Sequence, residues 1–176
     1  MGETSLKVKK TTSNHIKFVN ALLNDIEALE MMITANLFES DNIRIGAEQE
    51  VCIVNEDFKP ADNAIDLLDK INHPQFTTEL AKYNIEINLL PQLLQPGCFA
   101  AMENDLLDKF HLAANLAATN NTKLVLAGIL PTISRNEISL EYLTPLERYH
   151  MLSKKLRDIR GRQFDLYLKG VDELHI

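Results

Sequence analysis

From residue 14 to 38 the apolar positions recur at intervals of three and four: Ile16, Val19, Leu22, Leu23, Ile26 and Leu29. That spacing predicts an amphipathic helix with a break near 31–36, ended by Ser40-Asp41-Asn42. The pattern then changes to a period of two. Over 43–55, IRIGAEQEVCIVN, Glu48 and Glu50 fall on one side of a strand, with Ala47, Gln49, Val51 and Ile53 on the other. Over 76–90, FTTELAKYNIEINLL, Asn84, Glu86 and Asn88 oppose Tyr83, Ile85, Ile87 and Leu89, with a turn or bulge expected at Tyr83-Asn84.

Helical spacing returns between and after these strands. A short helix is expected over 61–71, stopped before Pro74, and a stronger one over 99–119, ended by Asn120-Asn121. Residues 123–130, KLVLAGIL, are nearly all apolar, which predicts a buried central strand closed by Pro131. Thr144 is placed to cap a following helix, with Pro145 at its first position, Glu147 three after the cap and Gly161 at its end. A fourth strand is expected over 163–171.

Strands that alternate polar and apolar have one wet face, and no Gly-rich phosphate loop follows any strand. The expected class is therefore α+β: a largely antiparallel sheet of about four or more strands, with helices packed on one face and the acidic face open. Residues 1–12 read as a flexible N-terminus and 13–176 as a single α+β domain. A chain of 176 residues is long enough to bury about 70% of its unfolded surface.

Charge and cysteine usage narrow the classes of function. Lysine plus arginine number 18 against 25 acidic residues, a formal charge of −7, which argues against a nucleic-acid binder. No apolar run approaches membrane-spanning length, the N-terminus lacks the apolar stretch of a signal peptide, and Cys52 and Cys98 have no partners at metal-binding spacing. The location expected is cytoplasmic, with no membrane partner. Cys52 reads as a small buried hydrophobe.

The acidic strand faces carry the chemistry. Carboxylates on one side of a sheet repel one another unless water screens them or a cation sits between them. Glu48 and Glu50 are able to offer both carboxylates to one ion, Glu86 to complete the set from the neighbouring strand, and Glu79 to approach from seven residues earlier. Without a metal, mutual repulsion raises at least one carboxylate pKa. A solvated sheet face carries Glu, Asn and Gln for solubility as well, and on spacing alone that reading stands ahead. In the basic cluster Arg148, Lys154, Lys155, Arg157, Arg160 and Arg162, Arg148 is the candidate anion clamp, because guanidinium binds oxyanions bidentately; the others suit a solvated helix end. His150 near Arg148, His73 before Pro74, Asn88, Gln92 and the loop residues Thr132, Ser134 and Arg135 read as background.

Gly46-Ala47-Glu48-Gln49-Glu50 before an apolar strand end resembles the Gly-x-Glu-x-Glu opening of the glutamate–cysteine ligase and carboxylate–amine ligase superfamily. Thr78-Glu79-Leu80 with Ile85-Glu86-Ile87, Gly128 to Thr132, and Thr144-Pro145 with Arg148-Tyr149 resemble its later segments. The resemblance implies a partial glutamine-synthetase-like sheet that uses ATP and Mg²⁺ to phosphorylate a glutamate-like carboxylate, after which an amine displaces the phosphate. It implies that Glu48, Glu50, Glu79 and Glu86 bind metal, and it moves the metal reading ahead of the solvated face. Leu130 stands where many members have a histidine, so no role is carried over for it. Members are longer, which leads to the expectation of an N-terminal fragment, inactive alone, whose cut sheet edge is free to pair with a second copy. The alternative is a non-catalytic binding or regulatory domain derived from that fold.

Overall fold

A computed structural model of the chain describes residues 12–160 and the strands Tyr167–Lys169 and Glu173–His175. Helix α1 spans Thr12–Thr34 and closes through a left-handed Asn36 at φ 52°. The Leu37 N–H reaches back to the Met32 carbonyl at 3.0 Å and the Asn36 N–H to Ile33 at 3.1 Å. These paired backbone bonds terminate a helix, and they fall where the sequence places a break. Every α1 residue from 14 to 34 is exposed. The rest of the flexible terminus expected over 1–12 lies outside the described residues.

The first expected strand is two. β1 (Arg44–Ile45) and β2 (Glu48–Val54) are separated at Gly46-Ala47. The second is also two, β3 (Phe76–Thr78) and β4 (Asn84–Asn88), joined through a turn that ends at Tyr83. β5 (Gln92–Leu93) pairs with β1, and β6 (Lys123–Val125) completes the main sheet. Its order is β3-β4-β2-β6 and every neighbouring pair is antiparallel. The fold is α+β, as the alternation indicates.

One sheet face makes the core. Val51 and Ile53 of β2 and Ile85 and Ile87 of β4 are fully buried against helices α2 (Ala64–Ile71) and α3 (Cys98–Ala118). Leu67 from α2 and Ala113 and Ala117 from α3 meet them, all fully buried. Alanines four apart lie on one helical face and leave room for α3 to approach the sheet closely. α2 stops at Asn72, left-handed at φ 42°, rather than through the restriction that Pro74 places on His73.

The opposite face is open only in part. Cys52 and Val54 form a second cluster with Leu130, with Val125 and Ile133 packed against it. This corrects the reading of 123–130 as a central strand. β6 pairs only with β2 among the described strands, so it lies at an edge. After Val125 the chain leaves the sheet, which allows Leu130 to fold over Cys52 and leaves Ile129 84% exposed. The run is apolar because its residues serve two surfaces, not because one strand is buried on both sides.

Residues 142–149 strap the β3–β4 turn. The Lys82 N–H donates to the Tyr142 carbonyl at 2.8 Å and the Thr144 N–H to the Leu80 carbonyl at 2.9 Å. Thr144 is fully buried and its hydroxyl donates to the Glu79 carbonyl at 2.5 Å. It therefore docks the strap instead of capping α4 (Glu147–Arg160). The final strand also departs from expectation. β7 (Tyr167–Lys169) pairs with β8 (Glu173–His175) rather than with the main sheet. Gly161 and residues 163–166 and 170–171 lie outside the described residues.

These assignments separate two apolar side chains by cost. Ile85→Ala should lower unfolding stability by about 2–5 kcal/mol in urea titration, because it opens a cavity in the core. Ile129→Ser should stay within about 0.5 kcal/mol of the parent. An equal loss from both would contradict the strand end at Val125.

Candidate functional site

The β2–β4 ladder sets the carboxylates. Its register pairs Glu48 with Asn88, Glu50 with Glu86, and Cys52 with Asn84. On β3, Thr77 faces Glu86. Partners in an antiparallel ladder share a sheet face, so Thr77, Glu86 and Glu50 form one row across three strands. Directly opposed side chains sit with Cβ atoms roughly 4.5–5.5 Å apart, and like charges there are destabilising. The core dictates this arrangement. With Val51, Ile53, Ile85 and Ile87 turned inward, a period of two turns Glu50 and Glu86 outward together.

Glu79 joins Glu86 from the β3–β4 turn. Its carboxylate accepts the Leu80 N–H at 3.0 Å and its carbonyl is held by Thr144. A hydrogen bond between the two carboxyl groups raises the Glu86 pKa above its ordinary value, helped by burial and by the Glu79 charge. The Asn88 amide and the Arg148 charge oppose the rise. Both Glu79 and Glu86 are half-buried. Glu48 and Glu50 are exposed. Glu48 sits one row away, beside Asn88, and is the least engaged of the four.

Arg148 reaches the same corner from the first turn of α4. Its Nη2 donates to the Tyr149 hydroxyl at 2.5 Å and to Thr78 Oγ1 at 3.4 Å. Its guanidinium lies 4.5 Å from the Tyr149 ring centroid. The Tyr149 hydroxyl donates to the Thr78 carbonyl at 2.9 Å, which ties α4 to the β3 strand. Arg148 Nε is buried and has no hydrogen-bond partner. The arginine is therefore held in place with a donor to spare, beside a carboxylate it attracts.

The structure thus brings together Glu50, Glu79, Glu86 and Arg148, with Glu48 at the margin. Lys154, Lys155 and Arg157 are exposed along α4, as is His150; Arg162 lies outside the described residues. The Thr132 hydroxyl donates to the Phe58 carbonyl, and Ser134 binds Glu137, so both serve their own loops. His73 accepts the Gln75 N–H through Nδ1 at 3.2 Å and packs edge-on to Phe76, a structural role. Burial and the Glu50 charge push the Cys52 thiol up, away from its reactive thiolate. Sequence reasoning gave no docking role to Thr144 or Tyr149. Their partners lie 65 and 71 positions away, and nothing local signals such contacts.

Opposed carboxylates suit a hard divalent ion by donor chemistry. Among the described residues no three of His, Cys, Asp and Glu gather in an arrangement able to hold a metal. Glu50 and Glu86 offer two carboxylates, the number that Mg²⁺ takes in its common form when water and phosphate oxygens fill its other positions. No helix among the described residues is long and apolar enough to cross a membrane. No protein-family model matches the chain, and neither a curated protein nor a solved structure matches it.

The Glu79–Glu86 contact makes stability depend on pH in a defined direction. A carboxyl with a raised native pKa binds its proton more tightly when folded. Its contribution is therefore full below the unfolded value, about 4.3, and is lost as pH rises through the raised native value. Thermal melts of the parent and Glu79→Gln should converge or cross over that window. The parent should gain on the variant as pH falls from neutral. Parallel melting curves across the range would show that the two carboxyls do not interact.

Proposed function

We propose that this chain carries the cation-gripping strand pair of an ATP- and Mg²⁺-dependent carboxylate–amine ligase of the glutamate–cysteine ligase type. The substrates would be a glutamate-like carboxylate and an amine, and the setting cytoplasmic. The observation that carries the reading is the Glu50–Glu86 pair, opposed across β2 and β4, with Glu79 and Arg148 against it. Such a corner costs stability unless something positive enters it.

One or two carboxylates of Glu50, Glu86 and Glu79 would hold Mg²⁺, with water and phosphate oxygens completing its shell and Glu48 at the margin. Bound there, the ion would neutralise phosphate charge during phosphoryl transfer, a reaction governed by positioning and electrostatics. The protein's own share is more local. The β2–β4 register sets the spacing of the carboxylates. Thr144 holds the Glu79 backbone through its carbonyl, and Leu80 holds its carboxylate. Tyr149 and Thr78 orient Arg148, whose guanidinium charge suits a phosphate or carboxylate oxygen. An acidic face alone would repel ATP, so acid and arginine side by side favour a metal–nucleotide pair over either component.

Calorimetric titration of MgCl₂ with ATP into the chain tests this. Binding should stabilise the fold by about 2.7 kcal/mol at a hundredfold excess over the dissociation constant. Glu50→Gln and Glu86→Gln should each weaken binding roughly tenfold or more and leave the far-UV spectrum unchanged. Absence of heat and of any melting shift, with variants indistinguishable from the parent, defeats the ligase reading. Binding that persists without turnover in every longer form of the protein favours the non-catalytic alternative.

A further inference from the structure

Two helices of this protein present apolar stripes that no described residue covers. On α1 the stripe is Val19, Leu22, Ile26, Leu29 and Ile33, spaced 3-4-3-4, every one exposed. That is the a/d spacing of a coiled-coil seam. On α4 it is Leu152, Leu156 and Ile159, also exposed.

The charges beside the two stripes are opposite. At 100° per residue, Asp25 lies on one side of the α1 stripe and Glu30 on the other, whereas Lys17 lies at the back. Beside the α4 stripe stands Lys155, with Asp158 further round on the same side, Arg157 about as far round on the other and Lys154 behind. An α1–α1 pair would gather Asp25 and Glu30 of both copies along one seam with no cation beside it. An α1–α4 pair meets acid with base, which selects partners and orientation as flanking charges do in coiled coils.

The helices of one chain do not make this pair, because both stripes are exposed together. They are also anchored at opposite ends of the sheet. α1 leads into β1 and the Glu48 end of β2, which pairs with the last residue of β4. α4 starts at the strap on the turn that precedes β4.

We infer that α1 of one copy lies along α4 of a second copy, and that the reciprocal contact closes a two-fold dimer. In such an interface the α1–α4 contact forms twice and uses every patch once, so the assembly stops at two. It uses two helix faces, not the cut sheet edge suggested by the sequence, and it does not depend on the function proposed above.

Sedimentation equilibrium of the whole chain should give a dimer that weakens as salt is raised. Lys155→Glu with Arg157→Glu should weaken it roughly tenfold or more. Adding Asp25→Lys and Glu30→Lys to that same chain should restore it. Oxidising a mixture of the Ile26→Cys chain and the Leu156→Cys chain should give the mixed disulfide as the main product. The native Cys52 and Cys98, 4% and 5% exposed, are shielded from competing. Three results would overturn the inference: a monomer at every concentration, an Ile26→Cys chain that links mainly to itself, or a chain carrying both substitutions that closes its disulfide internally.

Discussion

The β2–β4 register, which sets Glu50 directly opposite Glu86, is the constraint around which this protein is organised. Their opposition is a consequence of the core. Val51, Ile53, Ile85 and Ile87 are fully buried on the other face of the same two strands. A slip of one residue in the β2–β4 register would relieve the carboxylates, but it would also turn the two core side chains of the slipped strand to water and its glutamates toward α2 and α3. At about 1.5–3 kcal/mol for each large apolar side chain exposed, the core wins by a wide margin over a cross-strand repulsion worth roughly 1 kcal/mol or less. The sheet therefore holds the opposed carboxylates in place.

The strap 142–149 turns that pair into a corner with both signs of charge. Without it Glu79 would sit in a free turn and Arg148 on a free helix. The backbone bonds from Tyr142 and Thr144 to the 80–82 segment hold the turn. Tyr149 then pins the start of α4 to Thr78, and Arg148 follows because it is the next residue along. The Glu79–Glu86 contact raises the Glu86 pKa, so a proton taken up there would relieve it. A divalent ion would do the same with more charge, and Arg148 beside it would favour an anionic companion.

Much of this was legible in the chain. The period-two runs placed Glu48 and Glu50 on one face and Glu86 with Asn84 and Asn88 on another, and the expected break near Tyr83 is the β3–β4 turn. Helices α2 and α3 came from apolar spacing alone. Where reading failed, a residue's local pattern suited more than one environment. KLVLAGIL has the composition of a buried strand, yet only Lys123–Val125 pairs, and Leu130 is buried by folding back over Cys52. Thr144-Pro145-x-Glu147 has the form of a helix cap, but a hydroxyl able to cap is equally able to donate across the molecule to Glu79.

By itself the sequence determined which side chains share a face, because backbone geometry makes that a matter of counting: two for a strand, three and four for a helix. It thereby determined the α+β class, the core of β2 and β4, and the collection of glutamates on one side. Only the tertiary structure decided which faces meet. The Glu50–Glu86 register, the docking of Thr144 and Tyr149 and the approach of Arg148 join residues some 36 to 71 positions apart. Such pairings come from burying the whole core at once, a cooperative result that no local window of sequence contains.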